Sequence, residues 1–206
     1  MGQRERSIAD FSEAIRLDAR SLVAFYSRAN SRMGLGEYPG AIADFEAVLR
    51  LNKDFWEGLT GRGSAYLAQG RLPAAMEDFD QVLQRLPGNA MTLAFRCIAR
   101  TRLRQGGAAE DCTAATAAAG PREGWPFGVT AGLVMLGGQT AGAAGLLEQA
   151  LQRSPEAAAL LQLRAILRQR LGDAAGSATD AAAARGLSAR IGQNLADTFG
   201  PSLALR

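Results

Sequence analysis

Arginine and aspartate recur along this chain at fixed steps. Arg28, Arg62, Arg96 and Arg164 lie on one track, and Asp10, Asp44, Asp78 and Asp180 on another. Guanidinium and carboxylate groups so spaced can form ion pairs, or the arginines can grip an anionic ligand through bidentate hydrogen bonds. Asp10–Arg28, Asp44–Arg62 and Asp78–Arg96 share one separation, and both partners are lost together at Cys112 and Thr130. The joint loss favours pairs, each aspartate reaching the arginine that follows it in the next unit. Partly buried pairs of this kind fix register more surely than they add stability.

Other chemistry is poorly supplied. The chain has no histidine, which removes His-based triads, HExxH zinc sites and most general acid–base schemes near neutral pH. Glu110 and Asp111 are adjacent, so on a helix they point in different directions and do not make a catalytic pair. Cys97 and Cys112 show no redox or metal-binding spacing. Cys97 is expected to be a buried small apolar group rather than one half of a disulfide. No enzyme activity, cofactor or metal is expected.

The elements that carry these residues repeat every 34 positions. Stepping by 34 from Ser7 gives Ala41, Ala75, Ala109, Ala143 and Ser177, all small. A second track gives Ala29, Gly63, Cys97, Ala131 and Ala165, and a third the large apolar Phe25, Leu59, Leu93, Phe127, Leu161 and Leu195. Small and large columns at one period mean one unit stacked on copies of itself. Within a unit, Phe25, Ala29 and Arg32 follow helical spacing, Gly34-Leu35-Gly36 breaks the pattern, and Ala41, Phe45, Val48 and Leu49 mark a second helix. The turn glycine recurs as Gly70, Gly138 and Gly172, where a left-handed residue would end the helix. Arg104 stands in that column, with Gly106-Gly107 just after it, which predicts a longer helix and a shifted turn. Pro87, Pro121 and Pro155 close the second helices. The small columns let paired helices approach to roughly 8–10 Å.

The unit resembles the tetratricopeptide repeat. Phe25-Tyr26-Ser27-Arg28-Ala29 with Gly36 to Phe45 looks like a standard copy, and Leu59 to Phe79, ending in Pro87, like another. The resemblance runs from residue 2 to about 191 and is weakest over 90–155. Thr113 in that stretch, and Ala181 in the last full unit, replace the aromatic column of Phe11, Phe45 and Phe79. The resemblance implies an all-α, right-handed α-solenoid of helix–turn–helix repeats. The units are a half repeat at 1–21, repeats at 22–55, 56–89, 90–123, 124–157 and 158–191, and the end of a capping helix with a tail at 192–206.

The resemblance also implies a concave groove lined by the first helix of each unit. Tyr26, Asn30, Met33, Thr60, Ser64, Leu67, Ala94, Ile98 and Thr101 occupy that side. The surface is neutral and mildly apolar, which suits a peptide or helix of another protein. It lacks the basic residues of a carboxylate clamp, since Tyr26, Thr60 and Gly61 stand where lysine or asparagine would be needed. Trp125 and Phe127, around Pro126, are either an anchor for a partner or a staple within the stack. Gly128, Gly132, Gly137 and Gly138 each lower helix propensity by about 1 kcal/mol relative to alanine, marking a candidate hinge.

The two ends differ. The phase places residues 1–21 as the second helix of an incomplete unit, and its face of Ile8, Phe11 and Ile15 is a candidate for homodimer contact. Ser188 is expected to cap a closing helix with Ile191, Leu195 and Phe199 on its buried stripe. Gln193, Asn194 and Asp197 would face water, and Gly200-Pro201 would end the helix.

Composition narrows the partners. The formal net charge is +3 with basic residues dispersed, unlike the dense patch of a nucleic-acid surface. There is no apolar run long enough for a transmembrane helix, and from the polar N-terminus no signal peptide is expected. The expectation is a cytoplasmic scaffold or adaptor that binds another protein, without membrane insertion. A periplasmic location would follow if a further N-terminal segment carried a signal. The alternative is an accessory subunit or truncated array of a larger enzyme or of a secretion or envelope assembly.

Overall fold

The computed structural model describes residues 2–138, 140–188 and 191–199. Among them are twelve α-helices and no strand. The helices fall in two compact units, Met1–Arg85 and Leu86–Arg206. The first unit holds α1 (Gln3–Leu17), α2 (Leu22–Leu35), α3 (Tyr38–Leu51), α4 (Trp56–Ala68) and α5 (Leu72–Arg85). The second holds α6 (Ala90–Leu103), α7 (Ala108–Ala118), α8 (Trp125–Leu136), α9 (Thr140–Arg153), α10 (Ala158–Arg170), α11 (Ala174–Leu187) and α12 (Ile191–Phe199). Consecutive helices pack as hairpins: α2 on α3 and α4 on α5 in the first unit, then α6 on α7, α8 on α9 and α10 on α11 in the second.

Local chemistry sets the helix ends. Ser21, Asn89 and Asp173 cap α2, α6 and α11, their side-chain oxygens accepting backbone N–H groups of Ala24, Thr92 and Gly176. This satisfies donors that a helix start otherwise leaves open. Gly36, Gly70, Gly138 and Gly172 all have positive φ at the hairpin turns, the left-handed conformation glycine adopts without a Cβ penalty. Arg104 takes the same conformation at φ 55°. The expected lengthening of α6 does not occur: like α2, it has 14 residues. The additional residues lie in the turn, and Gly107 at φ 82° leads into a shortened, 11-residue α7.

In the first unit the hairpin cores follow the small and aromatic columns. Ala29, Ala41, Phe45, Ala75 and Phe79 are fully buried. A Cβ added at Gly61 would collide with the Phe45 ring, and one at Gly63 with the Phe79 ring. Glycine therefore permits close packing against an aromatic side chain at both places.

The ion pairs differ from the expected partnering. Each arginine reaches the aspartate of its own hairpin: Arg28–Asp44, Arg62–Asp78 and Arg164–Asp180, all 2.7 Å from Nη2 to Oδ1. Antiparallel helices bring residue i beside i+16, and the 34-residue period alone does not reveal this neighbour. In the hairpin of α6 and α7 the partner lies one position earlier, and Arg96 pairs with Asp111 at 2.7 Å. The same register brings Cys97 beside Cys112. Contrary to expectation, these cysteines form a disulfide, with Cα atoms 5.4 Å apart.

One further expectation changes. Gly128 and Gly132 lie inside continuous α8, so they do not form a hinge there. Ser188 ends α11, its N–H donating to the Ala184 carbonyl. Residues 189–190 and 200–201 lie outside the described residues, as do the side chains of Ile191 and Asn194.

Candidate partner-binding faces

In the first unit, α2 and α4 contribute the expected groove residues. Asn30 is exposed, Ser64 half-buried, and Tyr26 and Met33 pack partly onto the core of Ala29, Ala41 and Phe45. Tyr26 meets Phe45 and Phe55 edge-on, with ring centroids 6.0 and 5.3 Å apart. Thr60 and Leu67 are buried. Asn30 and Ser64 are thus more accessible to a bound segment than these buried neighbours.

The arginine columns are structural on both units. Asp44, Asp111 and Asp180 each hold two arginines one helical turn apart: Arg28 and Arg32, Arg96 and Arg100, Arg164 and Arg168. Asp78 holds Arg62 through both carboxylate oxygens. Tyr66 stands where the second arginine would be, and Arg62 and Arg71 lie over its ring. Burial pushes the Asp78 carboxyl up from its ordinary value, while the hydrogen bonds from Arg62 act in the opposite direction. These guanidinium groups are engaged with protein carboxylates.

In the second unit, Ala94 and Ile98 are fully buried and Thr101 is exposed. The next position in the Ile98 column is Gly132. The ring of Phe199 on α12 lies there: a Cβ at Gly132 would be 3.0 Å from it. Phe199 also meets Trp125 edge-on at 6.1 Å, and Trp125 lies 6.5 Å from Phe95. Leu195 and Phe199 are buried. Arg102 on α6 donates from Nη1 to the carbonyls of Asp197 and Thr198, at 3.1 Å each, engaging the C-terminal end of α12 as basic side chains commonly do. Thus α12 packs against α6 and α10 and places Phe199 against α8.

The other sequence candidates have mixed placements. Phe127 is buried, with the Arg153 guanidinium 4.1 Å from its ring centroid. Trp125 is half-buried, and its ring meets those of Phe95 and Phe199. Ile8, Phe11 and Ile15 are half-buried on α1, which packs on α2. Gly132, Arg102 and Phe199 were missed as parts of one face. Stepping the groove column from Ile98 identifies Gly132, but the return of α12 has no counterpart in that repeat.

Residues 26–90 match the family model for the tetratricopeptide repeat. The chain shares the fold of tetratricopeptide repeat proteins. A tetratricopeptide repeat protein from Parabacteroides merdae has a similar structure, with TM-score 0.74, 21% identity, 96% of this chain covered and 78% of that one. A thermophilic tetratricopeptide repeat protein from Thermus thermophilus gives TM-score 0.69, 20% identity and coverage of 85% and 99%. YrrB, described as having an unusual peptide-binding site, gives TM-score 0.51, 14% identity and coverage of 90% and 95%. These likenesses support the all-α helical-solenoid fold. Comparison with curated proteins finds no match.

In the α6–α7 hairpin the one-residue shift puts Cys112, not Thr113, at the buried position held elsewhere by Phe45 and Phe79. Thr113 is exposed, at the edge of a cavity of about 420 Å³ beside Cys97, Cys112, Thr130 and Leu133. The Thr101, Thr113 and Thr130 hydroxyls donate to carbonyls of their own helices. Among the described residues, no group of three or more histidine, cysteine or acidic side chains could hold a metal. No described helix is long and apolar enough to cross a membrane.

Proposed function

We propose that this protein is a non-catalytic scaffold that holds a helix or extended segment of another protein against its first helices. The observation that carries this reading is Phe199 of α12 against Gly132, within the first-helix groove column of the second unit. A face that seats a short amphipathic helix has the chemistry of helix-in-groove recognition. The peptide-binding site described for YrrB is consistent with such a use of the fold. In the first unit, Asn30 and Ser64 mark the corresponding columns.

Affinity capture tests the first-unit face. Wild-type chain and Asn30→Arg/Ser64→Arg are compared after circular dichroism shows equal helicity. A protein retained by wild type and lost from the variant supports the assignment. Identical recovery removes this face, and failure of the wild-type chain to retain any protein contradicts the scaffold reading.

A second reading, an accessory subunit of a secretion or envelope assembly, is favoured by the Cys97–Cys112 disulfide. Structural disulfides persist chiefly in oxidising compartments. Alkylation of the protein in its native cell tests this reading. Cysteines that react only after reduction support it, whereas cysteines that react at once contradict it.

A further inference from the structure

We infer that α12 is an exchangeable resident ligand: its seat on α6, α8 and α10 also accepts a short amphipathic helix from another protein, with leucine and phenylalanine four residues apart. This deepens the scaffold reading and rests on it.

The seat has three parts. Gly132 leaves room for the Phe199 ring, Trp125 contacts that ring from the side, and Arg102 engages main-chain carbonyls at the helix end. The carbonyl contacts do not require particular side chains and are available to another helix in the same pose. Selection therefore rests on the apolar pair. Leu195 and Phe199 are buried, while Gln193 is exposed and donates to Asp197. A partner helix needs the same two anchors and a polar opposite face.

Exchange is physically reasonable because α12 has nine residues. Helices shorter than about 12–15 residues are marginal in water without packing, so α12 depends on its seat. A competing helix with the same anchors sees an affinity reduced by the fraction of seats that α12 leaves open.

A labelled synthetic peptide of residues 188–199 is titrated into three full-length proteins: wild type, Leu195→Ala/Phe199→Ala and Arg102→Gln. Circular dichroism first establishes that each is helical. The double variant loosens α12 without altering its seat and should bind the peptide at least tenfold more tightly than wild type. Arg102→Gln loses the carbonyl clamp used by either helix and should bind more weakly than the double variant. A peptide carrying the two alanines should bind none of them. Equal binding to wild type and the double variant overturns the exchange while leaving the scaffold reading intact. No binding to the folded double variant overturns the seat itself. Arg102→Gln binding as tightly as the double variant overturns the proposed clamp.

Discussion

Arg62 grips Asp78 across a single hairpin, Nε and Nη2 lying 2.9 and 2.7 Å from the two carboxylate oxygens. Asp44 has a second guanidinium, from Arg32, at 2.8 Å. This difference makes the two hairpins unequal in their response to mutation. Breaking a buried pair by removing one partner costs about 3–5 kcal/mol. Arg62→Met should therefore destabilise more than Arg28→Met, which leaves Asp44 with Arg32. Urea denaturation of both variants tests the ranking.

The Arg62→Met deficit should depend on pH. Asp78 already has a raised folded-state value from burial, opposed by Arg62. Without Arg62 that value rises further, so protonation favours the folded variant. The deficit is fullest above the folded value and shrinks as the pH falls through it towards the ordinary aspartate value of about 4. A deficit that grows on acidification would contradict this assignment.

Ala75 is fully buried in a small column. Ala75→Leu should overpack the hairpin and cost about 1–3 kcal/mol. A thermal melt indistinguishable from wild type would mean that the crossing has room for a larger side chain.

The Cys97–Cys112 disulfide closes a 15-residue separation. Cys97→Ala/Cys112→Ala should cost about 3 kcal/mol in the loop-closure account. Equal stability of this variant and the oxidised wild type would remove that contribution.

The period placed the hairpin helices and turns because small, aromatic and glycine columns meet at fixed depths in a helical pair. Partner choice was harder to read. Asp44 lies between Arg28 and Arg62 in sequence, and only the antiparallel hairpin distinguishes them. The disulfide was missed for the same reason: Cys97 and Cys112 obey the shifted register of Arg96 and Asp111, not a local motif. The groove columns were placed without revealing their burial at Thr60, Leu67, Ala94 and Ile98. The seat of Phe199 depends on a helix returning from outside the repeat, which a 34-residue step does not describe.

The most direct test of the account is hydrogen exchange across α12 in the full-length chain, titrated with unlabelled synthetic peptide 188–199. The account predicts faster exchange for chain residues 191–199 as peptide takes their seat, with protection retained across α6, α8 and α10. Unchanged α12 exchange at a peptide concentration that saturates binding would contradict it.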